Sequence, residues 1–539
     1  MRLLLTPLIA VAALTASTGA GLAQSDRSRI GAPAVEAHTR FLAHDLLEGR
    51  EAGTRGYDLA AAYVAAQFAA LGLTPGGDRG GWFQPVPLRK RILASVAIAI
   101  RSARGTEILA NGVDVAVDAG VTSLNDTVQA PLVFVGWGIT APADGHDNYA
   151  GQDVRGKAVV MLEGAPPSLP GALRAHYGWV DQKAAMATAR GAVAILTVKT
   201  PAREAVSPWE RARVNRPRPA MSWVARDGTV GARFGIPAIT LGPDAGRRLF
   251  ASTGRNLDAI MARSERDRVD GFDLGSTLDF DRTSRHDDVR SANVLALLPG
   301  SDARLRNEYV FVTAHLDHVG IGPAIDGDSI YNGAADNAGG VAVMLEIARA
   351  MTTRRPPRRS IVFMATTAEE KGLLGATYYT EYPTIPLDRV AAVVNTDGLM
   401  AFYDFSEIVA LGAGHSTLGR ISAKSAARIG AIEVPDPIPE RGNLALSDQY
   451  PFMRAGIPVL FPLPGRGVGR DGSDGEGAWR AFMDRRYHQP SDDMAQPWRW
   501  DVAARWGDYL LDLTSRIADD SERPRWRAGD PLGRIFRRK

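Results

Sequence analysis

Apolar residues recur along this chain in two rhythms, and the order of those rhythms predicts its elements. From about residue 291, short apolar runs alternate with stretches of helical period. Residues 309–314, 360–367, 390–394 and 457–461 read as strands. Residues 338–351, 418–429 and 501–518 read as helices, the last of them amphipathic, and a further helix begins over 373–379. Such alternation predicts a doubly wound α/β sheet.

The upstream half is patterned differently. Residues 41–73 read as helical, because 57–71 carry apolar residues at helical spacing and stop at Gly72. Alternating apolar residues around 94–100 suggest strands. Over 125–251, strand signals at 132–137, 158–162 and 192–198 surround a helix at 183–191, with turns such as Gly164-Ala-Pro-Pro167 between them. This block reads as a compact inserted domain with a turn-rich arm at 200–234.

At 539 residues the chain exceeds the roughly 250–300 residues that one hydrophobic core serves, so more than one domain is expected. A net charge of +3 is small for that length and gives no reason to expect a nucleic-acid partner. The basic end, 523–539, reads as a solvated tail. There is no cysteine, which excludes disulfides, thiolate metal sites, a cysteine nucleophile and a lipoprotein anchor. Arg2, the apolar run 3–16, and Gly21 and Ala23 before Gln24 read as a cleaved signal peptide. The run is too short to span a bilayer, and no later stretch approaches that length, so a periplasmic or secreted protein without membrane insertion is expected.

The chemistry lies where the predicted strands end. The first runs into His315, the second into Glu369-Glu370, and the third stops just before Asp397. Asp336 precedes a helix in the glycine-rich run Asn332–Gly340, and His488 lies in a late loop. Open α/β sheets build their sites beyond the carboxyl ends of strands, so these residues are expected to converge. Imidazole and carboxylate suit zinc without sulfur. A shared carboxylate can bridge two ions about 3.5–4 Å apart, which organises a hydrolytic site.

His315-Leu-Asp317, Gly333-Ala-Ala-Asp-Asn337, Glu369-Glu370, Asn395-Thr-Asp397, Ser447-Asp448 and Tyr487-His488 together resemble the co-catalytic di-zinc aminopeptidase and glutamate-carboxypeptidase-like metallopeptidases, peptidase family M28. The resemblance covers about 291–515. The insert looks like a protease-associated domain, through Asp153-Val-Arg-Gly-Lys-Ala-Val-Val160 and Arg190-Gly-Ala192, and Leu46-Leu-Glu-Gly-Arg-Glu-Ala-Gly53 is similar to the family's leader region. The implied fold is a mixed-sheet zinc-exopeptidase core with a mainly β insert. The implied organisation is a signal peptide (1–23), the peptidase domain (24–124 and 252–520), the insert (125–251) and the tail (521–539).

That resemblance implies two Zn2+ per chain and peptide substrates. It makes Asp336 the bridge, with His315 and Glu370 completing one zinc and Asp397 and His488 the other. Glu369 is then the general base, Asp317 orients His315, Asn337 fixes the backbone after the bridge, and Asp492 is the matching orienter for His488. Some relatives place a tyrosine before the Ser-Asp pair, where this chain has Asn443-Leu-Ala-Leu446, so the oxyanion role falls to Tyr487. His318 and His415 read as structural or exposed, Trp498-Arg-Trp500 as packing at a helix start, and Ser447 as no nucleophile, since no Gly-x-Ser-x-Gly elbow surrounds it. Gly339-Gly340 has the spacing of no nucleotide loop and reads as close packing. The leading function is an exported aminopeptidase. The alternatives are a carboxypeptidase or other amide hydrolase on the same core, a single-zinc glutaminyl cyclase, a non-enzymatic receptor, and a binding module centred on the insert.

Overall fold

The computed structural model describes residues 29–537, apart from 211–217, 232–234, 265, 267 and 268. The expected signal peptide lies outside the described residues, as does part of the 200–234 arm.

Two helices, α1 (Ala32–Leu42) and α2 (Arg55–Ala70), stand where the sequence suggested one helical stretch. The break is local. Gly49 and Arg50 take positive φ angles of 66° and 50°, which a helix does not accommodate. A side chain at Gly49 would also meet the carbonyl oxygen of Tyr331 at 2.5 Å. Thr54 then restarts the helix by accepting the amide of Tyr57.

Next come β1 (Phe83–Ser102), β2 (Val115–Val117), β3 (Asn125–Phe134), β4 (Ala158–Leu162), α3 (Gly171–Gly178), α4 (Val180–Thr188), β5 (Ala194–Val198) and β6 (Ala238–Leu241). The long strand β7 (Phe272–Leu298) returns the chain to the second half. That half comprises β8 (Tyr309–His315), α5 (Gly339–Thr352), β9 (Ser360–Thr366), α6 (Leu374–Glu381), β10 (Val390–Asn395), β11 (Glu407–Leu411), α7 (Leu418–Arg428), β12 (Ile432–Glu433), β13 (Val459–Pro464), α8 (Gly475–Arg485) and α9 (Trp500–Asp519).

One mixed sheet runs in the order β12-β11-β13-β10-β8-β9-β7-β3-β4-β5-β6-β2. Strand β8 lies parallel between β9 and β10, and β13 is parallel to β10. The carboxyl ends of these strands therefore share one edge. Every residue of β9 and β10 is buried, which is why both read as unbroken apolar runs. Helices cover both faces. On one, α5 buries twelve of its fourteen residues and packs against α1 and α9, in a core built around Val312, Met344 and Leu510. On the other, α6 contributes Tyr379 beside Phe311 and Phe452.

Strand β7 is 27 residues long and links the halves. Residues Val294–Leu298 pair with β9, while Thr277–Val294 pair with β1, and Phe272–Thr283 pair with β3. In the 125–251 segment, β3, β4, β5 and β6 run parallel, with α3 and α4 between β4 and β5. The chain's end is not the solvated tail expected from its charge. Trp526 and Leu532 are buried, Arg523 donates to the carbonyls of Asp388 and Val390, and Arg534 pairs with Asp144. Among the described residues, no helix is long and apolar enough to cross a membrane.

Candidate metal centre

Three adjacent parallel strands end at the same edge, and each delivers acidic or imidazole groups there. His315 is the last residue of β8. Beyond β9 the chain turns sharply at Ala368 (φ 53°) and presents Glu369 and Glu370. Asp397 follows β10 by two residues. Asp336 arrives from the irregular turn ahead of α5, and His488 from the loop after α8, with φ 58°.

Asp336 is shared between two groups of side chains. One of its oxygens lies 3.0 Å from His315 Nε2, which is itself 3.1 Å from Asp397 Oδ1. Its other oxygen lies 3.2 Å from His488 Nε2, which is 3.1 Å from Glu370 Oε2. The structure thus groups His315 with Asp397, and His488 with Glu370. This corrects the pairing of His315 with Glu370 and of Asp397 with His488 drawn from the resemblance. The reason is topological: β8 and β10 are direct neighbours, so their ends meet.

These residues fit metal ions. The donor atoms of His315, Asp336 and Asp397 all lie within 4.8 Å of one another, as do those of His318, Asp336 and Glu370. His488 Nε2 and Glu370 Oε1 are buried yet make no well-aligned hydrogen bond among the described residues. Close approach without hydrogen-bond alignment is what lone pairs converging on a cation produce, and orphaned buried polar atoms otherwise cost free energy.

The surrounding residues hold this cluster in ways the sequence did not disclose. Asp317 turns its carboxylate to the backbone amides of Glu369 (3.0 Å) and Glu370 (3.2 Å). It meets His315 Nδ1 through its backbone carbonyl, at 3.0 Å, not through its side chain. Asp492 does not orient His488. It accepts the amides of Ala335 (2.9 Å) and Asp336 (3.1 Å), and so fixes the bridge. Burial pushes the Asp492 carboxyl up to about 7, with those amides opposing the shift. Asn337 ties the same turn to the Asp397 loop, donating to Thr396 O and accepting from Gly398 N. A side chain at Gly340 would meet Asn337 Oδ1 at 1.9 Å, so this glycine serves close packing.

His318 is the residue whose position the sequence did not give. It is fully buried, and its Nδ1 lies 2.8 Å from Glu370 Oε1. His415 instead pairs with Asp530, at 2.8 Å. Ser447 accepts from Asn395 Nδ2 at 2.7 Å, deep under the site, and Asp448 pairs with the hydroxyl of Thr366. Trp498 and Trp500 stack on each other at 4.8 Å, and Trp500 opens α9.

The cluster floors a cleft of about 330 Å³ that Glu369 and Tyr487 also line. Both Glu370 oxygens face imidazoles, whereas the Glu369 carboxylate makes no hydrogen bond among the described residues and faces the cleft. Burial pushes the Glu369 carboxyl well above the usual range. Asp397, Glu370 and Asp448 add to the shift, and His315 opposes it. Tyr487 stacks on His488, with ring centroids 3.9 Å apart. Burial, with Asp336 next in weight, pushes its phenol well above the usual value, so its O–H stays intact as a donor. Replacing Tyr487 by phenylalanine should lower kcat by roughly 10–10³ fold and change KM less. An effect confined to KM in steady-state kinetics would assign the ring to packing.

A mixed α/β sheet whose parallel strands end at one edge, beside the shared Asp336 carboxylate and two imidazoles, is the arrangement of a candidate metal centre. Residues 293–514 match the model of Peptidase family M28. Over 132 residues the chain is 35% identical to Aminopeptidase NAALADL1 of Mus musculus, covering 23% of this chain and 16% of that protein. It is 41% identical over 110 residues to the probable zinc metalloprotease Lema_P086240 of Leptosphaeria maculans, covering 20% and 24%. Over 75 residues it is 41% identical to Aminopeptidase YwaD of Bacillus subtilis, covering 14% of each. The matched stretches thus span a quarter or less of these relatives. A solved aminopeptidase from Aneurinibacillus sp. strain AM-1 shares the fold over 92% of this chain and 96% of its own, with a TM-score of 0.54 and 18% identity.

Proposed function

We propose that the protein is an exported, di-zinc aminopeptidase that removes N-terminal residues from peptides. The observation that carries this is the division of the Asp336 carboxylate, one oxygen toward His315 and Asp397 and the other toward His488 and Glu370. Asp336, His315 and Asp397 would hold one ion, and Asp336, His488 and Glu370 the other. When bound, the ions would polarise the scissile carbonyl and acidify a water molecule.

This chain's own groups do the remaining work. Glu369 takes a proton from the attacking water and returns it to the leaving nitrogen. Tyr487 donates its O–H to the substrate oxygen as negative charge develops there. Glu369, beside the metal-binding carboxylates of Asp336, Glu370 and Asp397, would favour a cationic or metal-coordinating substrate amine. Trp179, from the 125–251 segment, lines the same cleft, which supports reading that segment as a protease-associated domain forming one wall. Export rests on the apolar leader 3–16 and the small residues after it.

Elemental analysis of active protein should give two divalent ions per chain, and chelation should abolish turnover until zinc is restored. One ion at saturation would contradict the bridged arrangement. Of three versions of one short peptide, the free and C-amidated forms should be cleaved and the N-acetylated form spared. Cleavage of the acetylated form, with loss of activity on the amidated one, would make the protein a carboxypeptidase.

A further inference from the structure

The cleft has an unused cation. Arg441 lines the wall that carries Tyr487 and Trp479, and its guanidinium carbon sits 5.4 Å from the Tyr487 ring centroid and 6.0 Å from that of Trp479. Among the described residues, its one side-chain hydrogen-bond partner is the sulfur of Met483, at 3.8 Å. Among the described residues, no carboxylate lies within ion-pair distance of it. Its neighbours are engaged elsewhere: Glu440 pairs with Arg174 at 2.9 Å, and Arg466 pairs with Glu476 at 3.2 Å. Arg454 sits over Tyr450.

The loop that carries Arg441 is held in place. Arg203 donates to the carbonyls of Glu440 (2.9 Å) and Arg441 (3.2 Å), and the Arg441 amide bonds Ile438 O at 2.9 Å. Beyond Arg441 opens a second, larger cavity of about 730 Å³ between the 125–251 segment and the metal-bearing half. Arg441, Trp179 and Leu446 line both spaces, so the two adjoin at the guanidinium. The cations deeper in the larger cavity are engaged: Lys199 and Arg203 with Glu163, and Arg282 with Asp126.

A half-buried guanidinium stacked beside two aromatic rings is pre-organised for an anion. Its planar fork matches a carboxylate, and low exposure strengthens the contact. We infer that Arg441 is a specificity-determining residue that takes a carboxylate on the portion of the substrate that departs, with the larger cavity receiving the substrate residues beyond it. Two sources can supply that carboxylate: the chain terminus of a dipeptide, or the side chain of an aspartate or glutamate after the scissile bond. This inference rests on the peptidase reading.

The test compares matched substrates on the metal-loaded full chain. Ala-Leu is set against Ala-Leu amide, and Ala-Asp amide against Ala-Asn amide, with N-acetylated versions of each. The wild-type protein should prefer the carboxylate member of at least one pair by about 10–10² fold in kcat/KM. The pair that shows the preference identifies the source. Arg441→Gln should collapse that ratio to near unity, whatever loss the two members share, and Arg441→Lys should restore part of it. Equal rates on both members for wild type, or an unchanged ratio in Arg441→Gln, would overturn the assignment while leaving the peptidase reading intact. Failure to hydrolyse any peptide, free or acetylated, would overturn that reading and this inference with it.

Discussion

Glu369→Gln should retain both metal ions and lose turnover by a factor of at least about 10². Glu369 and Glu370 are adjacent in sequence and alike in chemistry, but the structure gives them different work. Glu370 spends both oxygens on imidazoles, His318 and His488. Glu369 spends neither, and its carboxylate looks into the cleft. Its backbone is fixed on both sides: its amide donates to Asp317, and its carbonyl accepts from Gly372 and Leu373. Glutamine preserves shape and removes the basic oxygen, so chemistry should suffer while the fold stands. Glu370→Gln should instead lower bound metal, as read by elemental analysis after dialysis. Near-normal turnover in Glu369→Gln, or metal loss matching that of Glu370→Gln, would remove Glu369 from the base role.

Arg50→Met should destabilise the protein by about 3–5 kcal/mol, the range seen when one side of a buried charged contact is removed. Arg50 is fully buried. Its guanidinium donates to the carbonyls of Leu42, Leu316 (2.9 Å), Asn332 (2.6 Å) and Gly333 (3.0 Å). These carbonyls lie at the end of α1, just after His315, and in the turn that carries Asp336. One side chain therefore ties together two of the segments that build the metal site. Burial lowers its pKa to about 10, with Asp492, Asp317, Asp336 and Glu370 opposing, so it remains a cation at neutral pH. Methionine fills similar space and leaves the carbonyls without partners. Zinc affinity, measured by chelator competition, should fall alongside the denaturation midpoint. Arg50→Lys should lie between, because an ammonium cannot reproduce the fork. A loss below about 1 kcal/mol in chemical denaturation would mean water replaces the guanidinium at little cost.

The alternating half was legible because its strands are buried on both faces, while helices such as α7 and α9 bury one. An apolar run such as Val390–Val394 has few other readings, and the ligands lie directly where such runs stop. Which strand ends would abut was not legible. Sequence order places Glu370 between Asp336 and Asp397, but sheet order sets Asp397 beside His315. His318 looked unremarkable because burial, not spacing, brings it to Glu370. Strand β7 alternates with period two, as in Leu278-Asp-Phe-Asp-Arg282. Its many charges mask that pattern, because one face of the strand is wet. In helix α8, glycines and charged residues mask the buried Phe482 and Met483.

The length of β7 has a mechanical consequence. A peptidase could admit bulky chains by swinging its access wall on a hinge. Here the backbone joining the two halves is an extended ribbon, clamped by cross-strand hydrogen bonds over almost its whole length, with β9 at one end and β3 at the other. Such a member twists and flexes as a beam, bending most readily at the register shift between Thr283 and Ser284, and a wide opening elsewhere would have to tear ladder bonds. Admission should therefore be governed by a fixed aperture: slender, unfolded chains pass, and folded polypeptides are turned away by girth alone.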